Sequence, residues 1–285
     1  MSETRRDLYE RRMTRAIAHM HDHLDGDLSL DALAEVAGVS RFHFHRLYRA
    51  MIGETTAATI RRIRLNRAAL LLIESTAPVP DIARRCGYTN QRSFAHAFQT
   101  AFGTTPTAFR RESSAVPVLA PPERGDVPMT TPTPIEITDR PAIHLAAVLH
   151  RGPYTKVGRA FETLMAILSN RGLWPATHGM SAVYYDDPMA EEPNALRAHA
   201  GALVAADFAV PEGLEAVSLA GGRHAVMRYK GPYAGLNQAY QHLYGTWLPS
   251  SGHEPANAPP YEIYVNDPRT VAPTDLLTDI HVPLA

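Results

Sequence analysis

One pattern occurs twice between residues 30 and 111, and it limits what this stretch can fold into. It has a small residue, a glycine four positions later, a hydroxyl residue and then a phenylalanine: Ala34, Gly38, Ser40 and Phe44, then Ala83, Gly87, Thr89 and Phe94. Glycine tolerates the positive φ at a helix end. Ser40, and Thr89 or Asn90, can accept hydrogen bonds from the first free amides of the next helix. Each copy therefore predicts a helix-turn-helix, whose second helix enters the DNA major groove.

The segment between the copies, residues 57–74, contains no Gly or Pro and predicts one amphipathic helix with several arginines. Its length of about 27 Å suits two reading helices set about one DNA turn, roughly 34 Å, apart. A single copy of the pattern could equally be an ordinary helical hairpin. Two copies joined by an arginine-rich helix favour DNA binding.

The second copy resembles the DNA-binding domain of AraC/XylS-type transcription regulators, and the resemblance extends over residues 9–111. It rests on an aromatic residue after Gly87 and on Phe94, Phe98, Gly103, Pro106, Phe109 and Arg110. The resemblance implies an all-α domain of two helix-turn-helix units, residues 1–112, bound to double-stranded promoter DNA.

Candidate DNA contacts lie on the outer faces of the two reading helices: Arg41, Phe42, His45, Arg46 and Arg49, then Gln91, Arg92, Ser93 and His96. By the resemblance, Phe42, His45 and Arg46 occupy positions that meet bases or the sugar–phosphate edge. Arg46 is the strongest candidate, because a guanidinium matches guanine O6 and N7. Phe42 and His45 could instead simply cover the helix surface. Ser93 and His96 are expected to touch phosphates.

Charge is distributed unevenly along the 285 residues. Residues 1–112 hold 17 Arg against 12 acidic residues, a net charge of +5, whereas residues 113–285 have a net charge of −6. This favours phosphate binding by the first half only. Cys86 is the only cysteine, and neither a signal peptide nor a membrane-spanning run is visible. We expect a cytoplasmic protein that does not associate with membranes.

Three histidines near the start, His19, His21 and His23, raise the question of a metal site. Only His19 and His23 would share a helix face, and a solvated polar face explains them better. We therefore expect no metal and no cofactor. Residues 113–134, with six prolines, predict a semi-rigid linker.

A second duplication follows over residues 135–285. The triplets Gly152-Pro153-Tyr154 and Gly231-Pro232-Tyr233 stand 79 residues apart, and strand-like stretches running to Pro188 and Pro268 stand 80 apart. Each repeat predicts strand, turn, amphipathic helix and strand. Two such α+β repeats should join antiparallel sheets about a pseudo-twofold axis and leave a central groove. The half resembles GyrI-like small-molecule-binding domains, found as effector domains of multidrug-responsive regulators.

Glu262 is the charge that could recognise a ligand. It lies in the strand-like stretch YEIY, whereas the equivalent residue of the first repeat is Ala182. The resemblance places a glutamate here that meets cationic or polar ligands. With Tyr264, Tyr184, Tyr154 and Trp174 it would form an acidic aromatic pocket for flat lipophilic cations. Alternatively, the aromatic residues are core and Glu262 is a solvated edge residue.

These features predict a ligand-responsive transcription regulator, an activator that works with RNA polymerase, and not an enzyme. Because its two reading helices are already in tandem, it should bind an asymmetric promoter element as a monomer. Two alternatives concern the C-terminal half. It could be a hydrolase that uses Glu262 and a tyrosine, or a protein-interaction module.

Overall fold

The computed structural model describes residues 5–112, 119–120, 134–186 and 193–285. The described N-terminal part is helical. Its helices are α1 Arg5–Asp22, α2 Leu30–Ala37, α3 Arg41–Ile52, α4 Thr56–Glu74, α5 Val79–Arg85, α6 Gln91–Phe102 and α7 Pro106–Glu112. Helices α2 and α3 form the first helix-turn-helix, and α5 and α6 form the second. Helix α4 connects them, as the sequence predicts.

Both turns contain a glycine in the left-handed region, Gly38 at φ 65° and Gly87 at φ 75°. The reading helices then start differently. The Asn90 side chain caps α6 by accepting hydrogen bonds from the Arg92 and Ser93 amides at 2.8 and 3.1 Å. Ser40 was expected to cap α3 but makes no such bond. Its hydroxyl instead donates to Asn257 Oδ1 at 2.8 Å, because the C-terminal half lies against this end of α3.

The predicted linker, residues 113–134, lies outside the described residues except for positions 119, 120 and 134. Leu119 exchanges two hydrogen bonds with the side-chain amide of Asn66 on α4, at 3.0 and 2.9 Å. It also packs against the core of the second helix-turn-helix. This part of the predicted linker is therefore attached to the helical half.

The C-terminal half is built on one eight-stranded antiparallel sheet of order β1-β6-β8-β7-β3-β4-β2-β5. The strands are β1 Ile135–Arg140, β2 Ile143–Arg151, β3 Met180–Tyr184, β4 Arg197–Val204, β5 Glu215–Leu219, β6 Gly222–Lys230, β7 Tyr261–Tyr264 and β8 Leu277–Pro283. The helices are α8 Gly158–Asn170, α9 Leu236–His242 and the short α10 Leu248–Ser250, and a π-helical turn, Leu243–Trp247, connects α9 to α10.

The predicted duplication appears in the strand pairing. At the centre of the sheet β3 pairs with β7, and Ala182 lies directly opposite Glu262. These are the residues that the 80-residue offset makes equivalent, so the pseudo-twofold axis passes through this pair. The leading strand of each repeat pairs with the other repeat, β1 with β6 and β5 with β2. The two repeats are thus interleaved. The predicted turn after Tyr184 extends to Pro188, which lies outside the described residues.

The core of the first helix-turn-helix continues into the C-terminal half. One buried cluster joins Met13 of α1 and Phe44 of α3 to Leu243, Tyr244 and Leu248. A separate cluster around Phe94 and Phe98 fills the second helix-turn-helix and contains no C-terminal strand or helix. The first helix-turn-helix is therefore packed on the C-terminal half, whereas the second is not. No helix in the described ranges is long and apolar enough to span a membrane.

Candidate DNA-reading helices and effector site

Helix α6 presents its predicted DNA-contacting face to solvent. Gln91, Arg92, Ser93 and His96 are all exposed, while Phe94 and Phe98 on the opposite side are fully buried. The Asn90 cap and the left-handed Gly103 at the far end bound a twelve-residue helix. This face is open to solvent, as the sequence pattern predicts.

Helix α3 does not present its face in this way. Phe44, Leu47 and Tyr48 pack inward as predicted. However, His45, expected on the outer face, is only 2% exposed, and neither of its ring nitrogens has a hydrogen-bond partner. Burial, followed by the nearby charge of Arg46, holds the pKa of His45 well below its ordinary 6.5. The sequence pattern assumed solvent outside this helix, and the expectation of an outward His45 is wrong for this arrangement.

Arg46 points into the C-terminal half. Its guanidinium donates to the backbone carbonyl of Phe42 at 2.6 Å and to those of Tyr184 and Asp186 at 3.4 and 3.3 Å. It also lies over the rings of Tyr240 and Tyr244, at 5.4 and 6.0 Å from their centres. Arg46 was expected on the free outer face, but here it is engaged by the end of β3 and by α9.

The other predicted contacts of α3 are partly covered. Arg41 forms an ion pair with Asp31 at 3.2 Å and lies over the Phe42 ring, and Arg49 donates to Asn237 Oδ1 at 3.2 Å. His43, which the sequence pattern did not single out, makes the shortest of these hydrogen bonds between α3 and the C-terminal half. Its ring bonds the Tyr244 hydroxyl at 2.7 Å and the Ala256 carbonyl at 2.9 Å.

Aromatic side chains surround Glu262 on the helix-covered face of the sheet. We call this set the aromatic cage. It consists of three pairs related by the duplication: Tyr154 with Tyr233, Phe161 with Tyr240, and Tyr184 with Tyr264. The Tyr184 and Tyr264 hydroxyls lie 3.0 Å apart across the pseudo-twofold axis. Tyr154 packs edge-on against Tyr184, and both Tyr233 and Phe161 pack edge-on against Tyr264.

Glu262 is the one charged member of this otherwise near-symmetric arrangement, and it is 2% exposed. Tyr240 donates to Oε1 at 3.1 Å and Tyr264 to Oε2 at 3.0 Å. Burial raises the pKa of Glu262 to about 7, although the two tyrosine hydrogen bonds and the charge of Arg46 act in the opposite direction. The alternative that Glu262 is a solvated edge residue is therefore wrong.

Four of the five predicted ligand residues come together, namely Glu262, Tyr264, Tyr184 and Tyr154. Trp174 does not join them. It lies after the end of α8, is 38% exposed and donates its indole N–H to Ser169 at 2.9 Å. Tyr233, Tyr240 and Phe161 were missed. The 79-residue offset that identified Tyr154 also points to Tyr233, and it relates Phe161 to Tyr240.

His19 and His23 stack on each other at 4.2 Å, as their shared helix face predicts. Within the described ranges no group of three or more His, Cys, Asp or Glu side chains is arranged to hold a metal ion.

Two helix-turn-helix units followed by a small-molecule-binding fold define a DNA-binding regulator. The sequence matches the helix-turn-helix domain family over residues 33–112 and the GyrI-like small molecule binding domain family over residues 133–285. The chain belongs to the AraC-type regulators that have a C-terminal GyrI-like domain.

Individual relatives agree with this class. The chain is 28% identical to the right origin-binding protein of Escherichia coli K12 over 81% of its own length and 82% of that protein. It is 34% identical to the regulatory protein SoxS of the same organism over 33% of its length and 88% of SoxS. A hydrolase from Listeria innocua is similar at 16% identity and a TM-score of 0.40, over 55% of this chain and 94% of that one. This last likeness is too low to support a function.

Proposed function

We propose that this AraC-type regulator activates transcription in response to a lipophilic cation bound at the aromatic cage. The observation that carries the proposal is Glu262, a buried carboxylate whose symmetry-related position holds Ala182. The fold itself therefore does not require a charge there. A buried carboxylic acid costs free energy when it ionises, and such a group at a ring-lined site is typical of a functional residue.

The chemistry of the cage suits a cation better than an anion. Ring faces attract a cation through their quadrupoles, and an ionised Glu262 would add a direct charge. Because the pKa of Glu262 is about 7, the carboxyl is close to half ionised at neutral pH, and a bound cation would favour its ionised form. The half-exposed ring of Tyr233 gives an entering ligand its first contact.

The DNA side of the proposal uses both reading helices. Gln91, Arg92, Ser93 and His96 would bind one major-groove segment, and Arg41, Phe42, Arg46 and Arg49 the next. Two tandem reading helices in one chain support binding of an asymmetric promoter element by a monomer. Activation further requires contact with RNA polymerase.

The test of the effector site is calorimetric titration of the full chain with tetraphenylphosphonium at pH 8. We expect saturable binding that Glu262→Gln weakens on the order of tenfold or more. Glu215→Gln is the matched control, because this glutamate lies elsewhere on the sheet, bonded to His199 at 3.0 Å. Equal binding by wild type and Glu262→Gln would rule the proposal out.

Two further readouts refine this test. Affinity should fall roughly tenfold from pH 8 to pH 6, as protonation of Glu262 removes the charge, and Glu262→Gln should show no such fall. Recovery of the bound compound chemically intact, judged by mass spectrometry, separates a sensor from the hydrolase alternative.

A further inference from the structure

Arg46 has two roles that its position cannot serve at once. As a reader of guanine, its guanidinium must extend from α3 into the major groove. In the structure it instead donates to the Tyr184 and Asp186 carbonyls and lies over Tyr240 and Tyr244. These groups provide acceptors and π-faces, the features for which an arginine side chain is suited.

Several other contacts hold α3 in the same place. His43 bonds Tyr244 and Ala256, Ser40 bonds Asn257, and Arg49 bonds Asn237. Helix α3 also approaches the π-helical turn closely, since a Cβ built on Gly245 would lie 3.0 Å from Ala50 Cβ. Polar contacts at both ends of α3 and close packing of its last turn on the π-helical turn describe a docked helix.

While α3 is docked on the C-terminal half, it cannot enter the DNA major groove. The groove is about 12 Å wide, and a helix with its side chains is about 10–12 Å across. There is no room for α9 and the end of β3 beside α3 inside it. The face of α3 that includes His43, Arg46 and Ala50 can therefore meet the C-terminal half or DNA, but not both.

We propose that Arg46 is an internal ligand of the effector-binding half, so that docking of α3 on Tyr240 and Tyr244 competes with specific DNA binding. Tyr240 connects the two sites, because it takes the Arg46 guanidinium against its ring and donates its hydroxyl to Glu262. Arg46 also stabilises the ionised form of Glu262 through its charge.

The role of the effector follows from this connection, and this step rests on the proposed function. A cation that enters the cage takes over the ring face of Tyr240 and the charge of Glu262, and so replaces Arg46. Release of α3 then raises affinity for the operator. By linkage, operator DNA raises affinity for the cation by the same factor.

A reversible covalent lock tests the competition without any effector. The full-length double variant Ala50→Cys/Gly245→Cys places two thiols where a Cβ built on Gly245 would lie 3.0 Å from the Ala50 Cβ, so a shift of about 0.5 Å reaches the roughly 3.5–4.5 Å of a disulfide. Cys86 is buried and its pKa is raised to about 11, so it stays outside this chemistry. The probe is a duplex that the wild-type chain selects from a random-sequence library.

We expect the oxidised double variant to bind the selected duplex at least tenfold more weakly than wild type, at the level of a scrambled duplex. Dithiothreitol should restore wild-type affinity, and Ala50→Cys alone should not respond to oxidation. The proposal would be overturned if the oxidised protein still bound the selected duplex more tightly than the scrambled duplex, or if the disulfide failed to form. Addition of tetraphenylphosphonium is a separate arm. If oxidation of the double variant abolishes specific DNA binding but tetraphenylphosphonium does not change DNA binding by the wild type, the competition between docking and DNA is supported. The proposal that the effector is a lipophilic cation is then wrong.

Discussion

Helices α3 and α6 have nearly the same local design but different surroundings. Each follows a turn with a left-handed glycine, spans twelve residues and ends at another left-handed glycine, Gly53 or Gly103. Yet α3 is covered on the face that should read DNA, while α6 is open to solvent. The side chain at each N-cap shows the difference, because Asn90 caps its own helix whereas Ser40 bonds Asn257 of the other half.

We infer from this difference that the two copies of the motif have different roles. The second helix-turn-helix has its own closed core and can supply constant, largely electrostatic affinity for DNA. The first shares its core with the effector-binding half, so its access to DNA depends on the state of that half. Specificity from α3 thus becomes the property that a ligand can regulate.

The largest effect should come from the two equivalent core phenylalanines. Phe44→Ala and Phe94→Ala should each cost about 3–5 kcal/mol of local stability, because both rings are fully buried. Phe94→Ala should loosen only the second helix-turn-helix. Phe44→Ala should also loosen α9, whose neighbours lie in the same cluster. Hydrogen exchange measured by mass spectrometry separates these outcomes. Faster exchange of α9 in Phe94→Ala would contradict the separation of the two cores.

The arginines of the two reading helices provide a sharper test. On the selected duplex, Arg46→Ala should cost about 1–3 kcal/mol as a lost base contact. On a scrambled duplex without effector, Arg92→Ala should weaken binding several-fold and lower the salt dependence by about one counterion. Arg46→Ala should have a clearly smaller effect on that duplex, because Arg46 is engaged within the protein. Fluorescence anisotropy over a salt series measures both, and equal effects on scrambled DNA would contradict a docked α3.

Much of this architecture was readable from the sequence, because local rules determine it. The glycines at the helix ends, the long arginine-rich helix and the 80-residue offset predicted both helix-turn-helix units and the equivalence of Glu262 and Ala182, and the structure adds that these two residues lie directly opposite each other. The cage residues Tyr233, Tyr240 and Phe161 follow the same duplication, since offsets of 79 residues relate Tyr233 to Tyr154 and Tyr240 to Phe161. Trp174 was assigned to the pocket by the family resemblance, and the sequence does not show that its indole instead donates to Ser169 after the end of α8.

The docking of α3 could not have been predicted in the same way. A helical pattern shows which residues share a face, and it does not show whether water or protein covers that face. His45 and Arg46 fit an exposed DNA-reading surface and an interior contact equally well. Only the packing of α9 against α3 decides between them.

The smallest expected effect is a pH dependence that distinguishes His43 from the exposed His96. Burial, followed by the charge of Arg46, lowers the pKa of His43 to about 3 from its ordinary 6.5. The neutral ring is thus the docked form. Its contribution to docking is complete above pH 6.5 and is lost as the pH falls below that value. At pH 5.5 the free energy of docking is less favourable by about 1.4 kcal/mol, because His43 is protonated in the undocked state and stays neutral in the docked state.

Amide exchange of α3, corrected for intrinsic pH dependence, should therefore speed up relative to that of α6 between pH 7.5 and 5.5. In His43→Gln this relative change should become smaller, because glutamine can still donate to the Ala256 carbonyl and does not titrate, and only the protonation of Glu262 near Arg46 still contributes. His96→Gln is the control and should behave as wild type, since that side chain is exposed on α6. If α3 and α6 kept the same ratio of exchange rates across this range in the wild type, the buried His43 would not be a contact that opens. Docking of α3 would then be a permanent feature of the fold, and the second helix-turn-helix alone would bind DNA.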